Sequence, residues 1–143
     1  MKMKNSSGGI NDLLAAGAFG GLINALVVWL FGAIGITAAL GVKIAPPLSP
    51  PFLYSKIVWG GIWGLVFLLP LLNNRLYLKG LILSLGPTII QLFVVFPIKA
   101  QKGLMGLDLG ALTPVFVLLF NAAWGIAAAY WLKSTGAQDK YRR

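Results

Sequence analysis

Residues 13–42 read LLAAGAFGGLINALVVWLFGAIGITAALGV, thirty positions without a charged side chain. A helix that crosses a bilayer needs about 20 consecutive apolar residues, with a range of roughly 17–25. The run is too long for one straight span. Its helix is expected over about 13–35, with Asn11 and Asp12 offering capping oxygens at the start. Gly35 to Val42 then leads into a loop holding Pro46, Pro47, Pro50 and Pro51. A cleaved signal peptide fits poorly, because its apolar stretch would be only about 7–15 residues long.

Three more uncharged runs follow at 57–74, 80–98 and 109–132. The first two fit a span as they stand. The last is expected to enter its helix at Thr113-Pro114, with Thr as the cap and Pro at the first helical position. The sequence therefore predicts an all-α, polytopic membrane protein with four transmembrane helices, at about 13–35, 57–74, 79–98 and 113–132. A tail of 1–12 precedes them and a basic tail of 134–143 follows.

Composition agrees with lipid as the solvent. Hydrophobic residues make up 58% of the 143 and charged residues 10%, against roughly 25% charged in soluble domains. The formal charge of +9 raises the question of a nucleic-acid partner. The cations, however, lie at the edges of the apolar runs rather than on one face among aromatics, so none is expected. Cation bias in short loops sets orientation. One side would hold Lys2, Lys4, Arg75, Lys79, Lys133, Lys140, Arg142 and Arg143, the other Lys43, Lys56, Lys99 and Lys102. The richer side, with both termini, is expected to be cytoplasmic. Tyr54, Trp59, Tyr77, Tyr130 and Trp131 stand near predicted helix ends, where an aromatic belt belongs.

Small residues form stripes. Gly17, Gly21, Asn24, Val28, Gly32 and Gly35 recur at steps of three and four, one face of a helix. Gly60 and Gly64 are spaced alike, and Asn121, Gly125 and Ala128 share a side of the last helix. Such faces let backbones approach closely in lipid, so Gly17, Gly21, Gly32, Gly60, Gly64 and Gly125 are expected to pack helices together. Bulk, including Trp59, Trp63 and Phe67 and then Phe120, Trp124 and Trp131, is expected on the opposite faces. A faint internal echo, Asn24 to Trp29 against Gln91 to Phe96 and Trp63-Gly64 against Trp124-Gly125, would make the bundle two parallel helical-hairpin repeats.

Polar residues inside the runs are few. Ser84, Thr88 and Gln91 share a face, and Asn24, Gln91 and Asn121 lie about 11–12 residues, or roughly 17 Å, from their predicted cytoplasmic helix ends. An unpaired amide in lipid is costly. Asn24, Thr88, Gln91 and Asn121 are therefore expected to form an intramembrane polar cluster, as interhelical glue or as a site for a neutral or weakly polar solute. Pro87 should kink the third helix or free the Leu83 carbonyl, unless Ser84 or Thr88 repairs the gap. The Gly-rich segment Gly103–Gly110 is too short to span and is expected to dip into the headgroups.

The chain has no Cys, His or Glu, and its carboxylates are Asp12, Asp108 and Asp139. Nucleophilic triads and zinc or haem ligation need groups that are missing here. No enzyme activity, metal or cofactor is expected.

From Lys79-Gly80 through Pro97, then Gly103, Gly106 and Asn121 to Gly125, the second half resembles small bacterial inner-membrane proteins of the YagU type. That pattern has a Gly-rich third helix ending at Pro, a Gly-rich loop, and a fourth helix with a polar residue four before a Gly. The resemblance covers about sixty residues and implies a four-helix bacterial membrane protein with no particular activity. It departs at Asn121, where the pattern calls for His, which removes its support for a proton-linked role. Two roles stay open. One is a non-catalytic accessory or assembly subunit, self-associating through its glycine faces or joining a larger complex. The other is a small oligomeric transporter or channel.

Overall fold

Four helical spans, at Gly9–Ala33, Pro50–Leu68, Leu76–Lys99 and Thr113–Ser134, are each long and apolar enough to cross a membrane. The chain is an all-helical integral membrane protein. The computed structural model describes residues 6–136. The expected tail cations Lys2, Lys4, Lys140, Arg142 and Arg143 lie outside the described residues.

Helix α1 runs from Ser6 to Ala33, so Asn11 and Asp12 sit inside it rather than capping it. Gly35, with φ +86°, ends the helix because a left-handed residue without Cβ carries no steric penalty. The single turn α2, Ile36–Ala39, follows. Thr37 is wholly buried, and its hydroxyl donates to the Ile44 carbonyl at 2.8 Å, pinning the loop back on itself.

The second span begins well before the expected residue 57. Helix α3 covers Pro50–Trp63, with the Ser49 side chain accepting from Phe52 N and prolines in the first positions. Proline punctuates a loop when read along the sequence, but at a helix start its missing N–H is one that would have no partner anyway. The shift draws Lys56 into the span, where no cation was expected. A 3-10 segment, Gly64–Leu68, completes it. The helix stops short of residue 74 because Leu69 precedes Pro70 and is extended, φ −60° and ψ 130°, as the proline ring requires.

The third span joins α4 (Leu76–Leu83), α5 (Leu85–Ile90) and a π-helical stretch, Gln91–Lys99. The break falls at Ser84, three residues before Pro87. The hydroxyls repair other carbonyls than Leu83: Ser84 Oγ donates to Leu81 O at 2.6 Å, and Thr88 Oγ1 to Ser84 O at 2.8 Å. Pro97, which has no N–H, sits within the wider π turns, and the stretch closes with Ala100 N donating to Val95 O five residues back. Helix α6 spans Thr113–Ser134. Thr113 is its first residue rather than its cap, and its buried hydroxyl has no partner.

Helix α1 packs on both α3 and α6, and α6 packs on α4 and α5, while no comparable packing joins α3 to the π-helical stretch. Crossings are close where glycines meet. A Cβ on Gly60 would lie 2.7 Å from Gly21 Cα, and one on Gly64 would lie 3.0 Å from Gly17 Cα. Gly125 meets Gly80 backbone in the same way. Gly32 faces Ala45 of the loop instead of a helix.

The bulky side chains are not all outside. Phe67, Phe120 and Trp124 are buried. Phe67 turns inward because the tighter 3-10 turns rotate the end of the span away from the α-helical register. Trp124 fits over Gly20, and its Nε1 donates to Gly17 O and Gly60 O, each at 3.2 Å. Around it Leu13, Ala16, Leu76, Leu83, Ala128, Ala129 and Leu132 fill the half of the bundle nearer the described termini.

Lys79 joins that sealed half. It is 1% exposed, and its Nζ donates to the carbonyls of Phe67 and Leu69, each at 2.8 Å, and to Asn73 Oδ1. The expected loop-edge cation is instead a cap on the C-terminal end of the second span, where the dipole favours positive charge.

Candidate functional site

The two loops on the far side of the bundle interlock. Lys43 N donates to Leu109 O at 2.9 Å, and Gly110, with φ +149°, comes against the Gly41 carbonyl where a Cβ would collide. The Gly103–Gly110 segment is thus folded onto its neighbour, with Gly106 buried beneath Phe96 and Thr113. Below these loops lies a cavity of about 420 Å³ lined by all four spans. It occupies the space that α3 and the π-helical stretch leave between them.

The three amides singled out by the sequence, Asn24, Gln91 and Asn121, all line this cavity. Asn24 lies nine residues from Ala33, Asn121 eight from Thr113 and Gln91 eight from Lys99. Asn24 and Asn121 therefore lie about 12–14 Å below the loop-side helix ends at 1.5 Å per α-helical residue, and Gln91 is held at their level by Asn121. Asn121 Nδ2 donates to Thr88 Oγ1 at 3.0 Å and to Gln91 Oε1 at 3.3 Å. Thr88, Gln91 and Asn121 form one network. Asn24 stands apart from it: its Nδ2 donates to Phe120 O at 2.7 Å. That bond fixes the amide's orientation, since only the nitrogen can donate to a carbonyl. Asn24 Oδ1 is left buried without a partner, and the residue is 4% exposed. Unsatisfied buried acceptors cost about 1–3 kcal/mol, and this one meets neither the network nor accessible space.

Sequence reasoning missed two residues. Lys43 and Lys56 both line the cavity, Lys56 because its helix starts early and Lys43 because the loop folds inward. Lys56 Nζ lies 5.8 Å from the Phe52 ring centroid, one turn nearer the loops, so the side chain reaches toward the cavity mouth as snorkelling lysines do. No carboxylate is among the lining residues. The rest of the wall is apolar, with Val28, Ile44, Phe52, Phe96, Val117 and Phe120 among its residues.

The network has a measurable signature. Gln91→Leu and Asn121→Leu are expected to couple by about 0.5–1 kcal/mol, because the two side chains share a bond. Asn24→Leu and Gln91→Leu are expected to add, because those two do not meet. Unfolding of the single and double variants in detergent measures both terms. Additivity of the first pair would show the bond to be absent.

Comparison with protein-family models, with curated proteins and with solved structures finds no match to this chain. Functional reading therefore rests on the cavity itself.

Proposed function

We propose that the chain is a bacterial inner-membrane protein that binds a small ligand in the cavity beneath its loops, as a binding or transport component without enzymatic activity. One observation carries this reading: three intramembrane amides from three spans converge on a cavity of about 420 Å³, within the 300–1,000 Å³ usual for ligand sites. Interhelical glue would be expected to consume its own polar groups. Here Asn24 Oδ1 is left without a partner.

The accessory reading draws less support. The glycines that were to serve self-association, Gly17, Gly21, Gly60, Gly64 and Gly125, are already covered within one chain. Any oligomer would use another surface. A continuous pore through one bundle is also disfavoured, since the half around Trp124 and Phe67 is closely packed. The cavity is reached from one side, which the cation bias makes the outer side of the membrane.

The chain contains no cysteine, so single cysteines introduced into it report accessibility directly. In intact cells, cysteine at Gln91 or Phe52 is expected to react with a membrane-impermeant methanethiosulfonate added outside, and cysteine at Ala128 is not. Reaction only after the inner face is exposed would reverse the orientation. No reaction at either cavity position from either side would overturn the ligand-cavity reading.

A further inference from the structure

We infer, building on that reading, that the cavity receives the head of an anionic phospholipid, its chains leaving between α3 and the π-helical stretch. Three features of the wall define the ligand. The first is charge. Lys43 and Lys56 line the cavity with no carboxylate among its residues. Lys56 lies six residues inside its span and is half-buried. An ionisable side chain within a span is costly and marks a functional group with a partner. The Phe52 ring beneath its ammonium supplies only part of what a desolvated cation needs. An oxyanion between the two ammonium groups supplies the rest.

The second feature is the amide wall. Gln91, whose Oε1 is engaged by Asn121, offers its amide N–H groups to an oxygen of the ligand. The site thus presents cations at the mouth and a neutral donor on one wall, which matches a phosphodiester.

The third feature is size and greasiness. At about 30 Å³ per water, a volume of about 420 Å³ equals roughly fourteen waters, far more than a bare oxyanion fills. The remaining wall is apolar, and α3 does not close against the π-helical stretch. A soluble anion would leave that wall wetted. A lipid covers it, with its chains in the bilayer beside the protein.

The test uses the full chain in neutral detergent and native mass spectrometry, with dioctanoyl phosphatidylglycerol, dioctanoyl phosphatidylcholine and glycerol 1-phosphate as probes. Phosphatidylglycerol is expected to bind in a one-to-one complex, at least about tenfold more tightly than either other probe. Lys43→Gln and Lys56→Gln are each expected to weaken it about fivefold, the effect of about 1 kcal/mol per cation near an anionic headgroup. Lys102→Gln, outside the lining, should change nothing. Lys43 is exposed, so its substitution leaves the fold intact even if Lys56→Gln proves unstable. Equal binding of the two lipids, or indifference to Lys43→Gln, overturns the inference. Glycerol 1-phosphate binding as tightly as the lipid would replace the lipid with a soluble anion and overturn it too. If the cysteine positions label but no lipid preference appears, the cavity reading stands and only this ligand class falls.

Discussion

Lys79→Met is expected to destabilise the bundle by about 1–3 kcal/mol, because it leaves the buried Phe67 carbonyl without its ammonium donor. The ammonium also donates to the Leu69 carbonyl, which Leu71 N reaches too, and to the Asn73 side chain. Methionine matches the aliphatic stem and so preserves most of the packing against Phe67, whose ring lies 5.9 Å from Nζ. What disappears is the cap on the last turn of the second span. Lys133→Met is the comparison, since that ammonium is exposed and lies over the Tyr77 ring, at 5.2 Å. Its loss should be within about 1 kcal/mol. Denaturation in detergent, followed by circular dichroism, separates the two. Equal stabilities would mean that the carbonyls find water once the lysine is gone.

The second large effect is expected at Gly21. A Cβ at this position would collide with the Lys56 carbonyl and lie 3.1 Å from Ile57 Cα. Backbone cannot yield as a flexible side chain can. Gly21→Ala should cost about 1–3 kcal/mol by overpacking, and Gly21→Leu should prevent the α1–α3 crossing from forming. Gly35→Ala gives the contrast: nothing lies within 4 Å of a Cβ there, but φ is +86°. Its cost is conformational, about 1–2 kcal/mol, and leaves the crossing in place. Thermal melts of the purified variants distinguish the cases. A Gly21→Leu protein that melts like the parent would show that α1 and α3 do not meet at this point.

The four spans were legible because lipid demands length and apolarity, and each run states both without reference to its neighbours. Helix α6 accordingly begins at Thr113, one residue before the expected first helical position at Pro114. The start of α3 was not legible, because Pro50 and Pro51 suit a loop and a first helical turn equally well. That one ambiguity hid Lys56, and with it the charge of the cavity. The polar residues were legible as a group, since an intramembrane amide is conspicuous anywhere. Which of them bond was not: Asn121 reaches Thr88 and Gln91 while Asn24 turns to the Phe120 carbonyl. Pairing depends on helix rotation, and the third span changes its register at Ser84 and again at Gln91. Rotation also explains Phe67 and Trp124. Small-residue stripes show where backbones come close, but a large ring seated over a glycine such as Gly20 belongs to the same interface.

The indole of Trp124 has one hydrogen to give, and two carbonyls on different helices, Gly17 O and Gly60 O, lie equally near it. Three spans are thereby referred to a single atom. Mechanically this is a pin joint: segments tied at one point can splay or close about it, but they cannot slide past one another there. The sealed half lies on one side of the pin and the hollow half on the other. The third span, which supplies the cavity wall facing α3, is not one of the three.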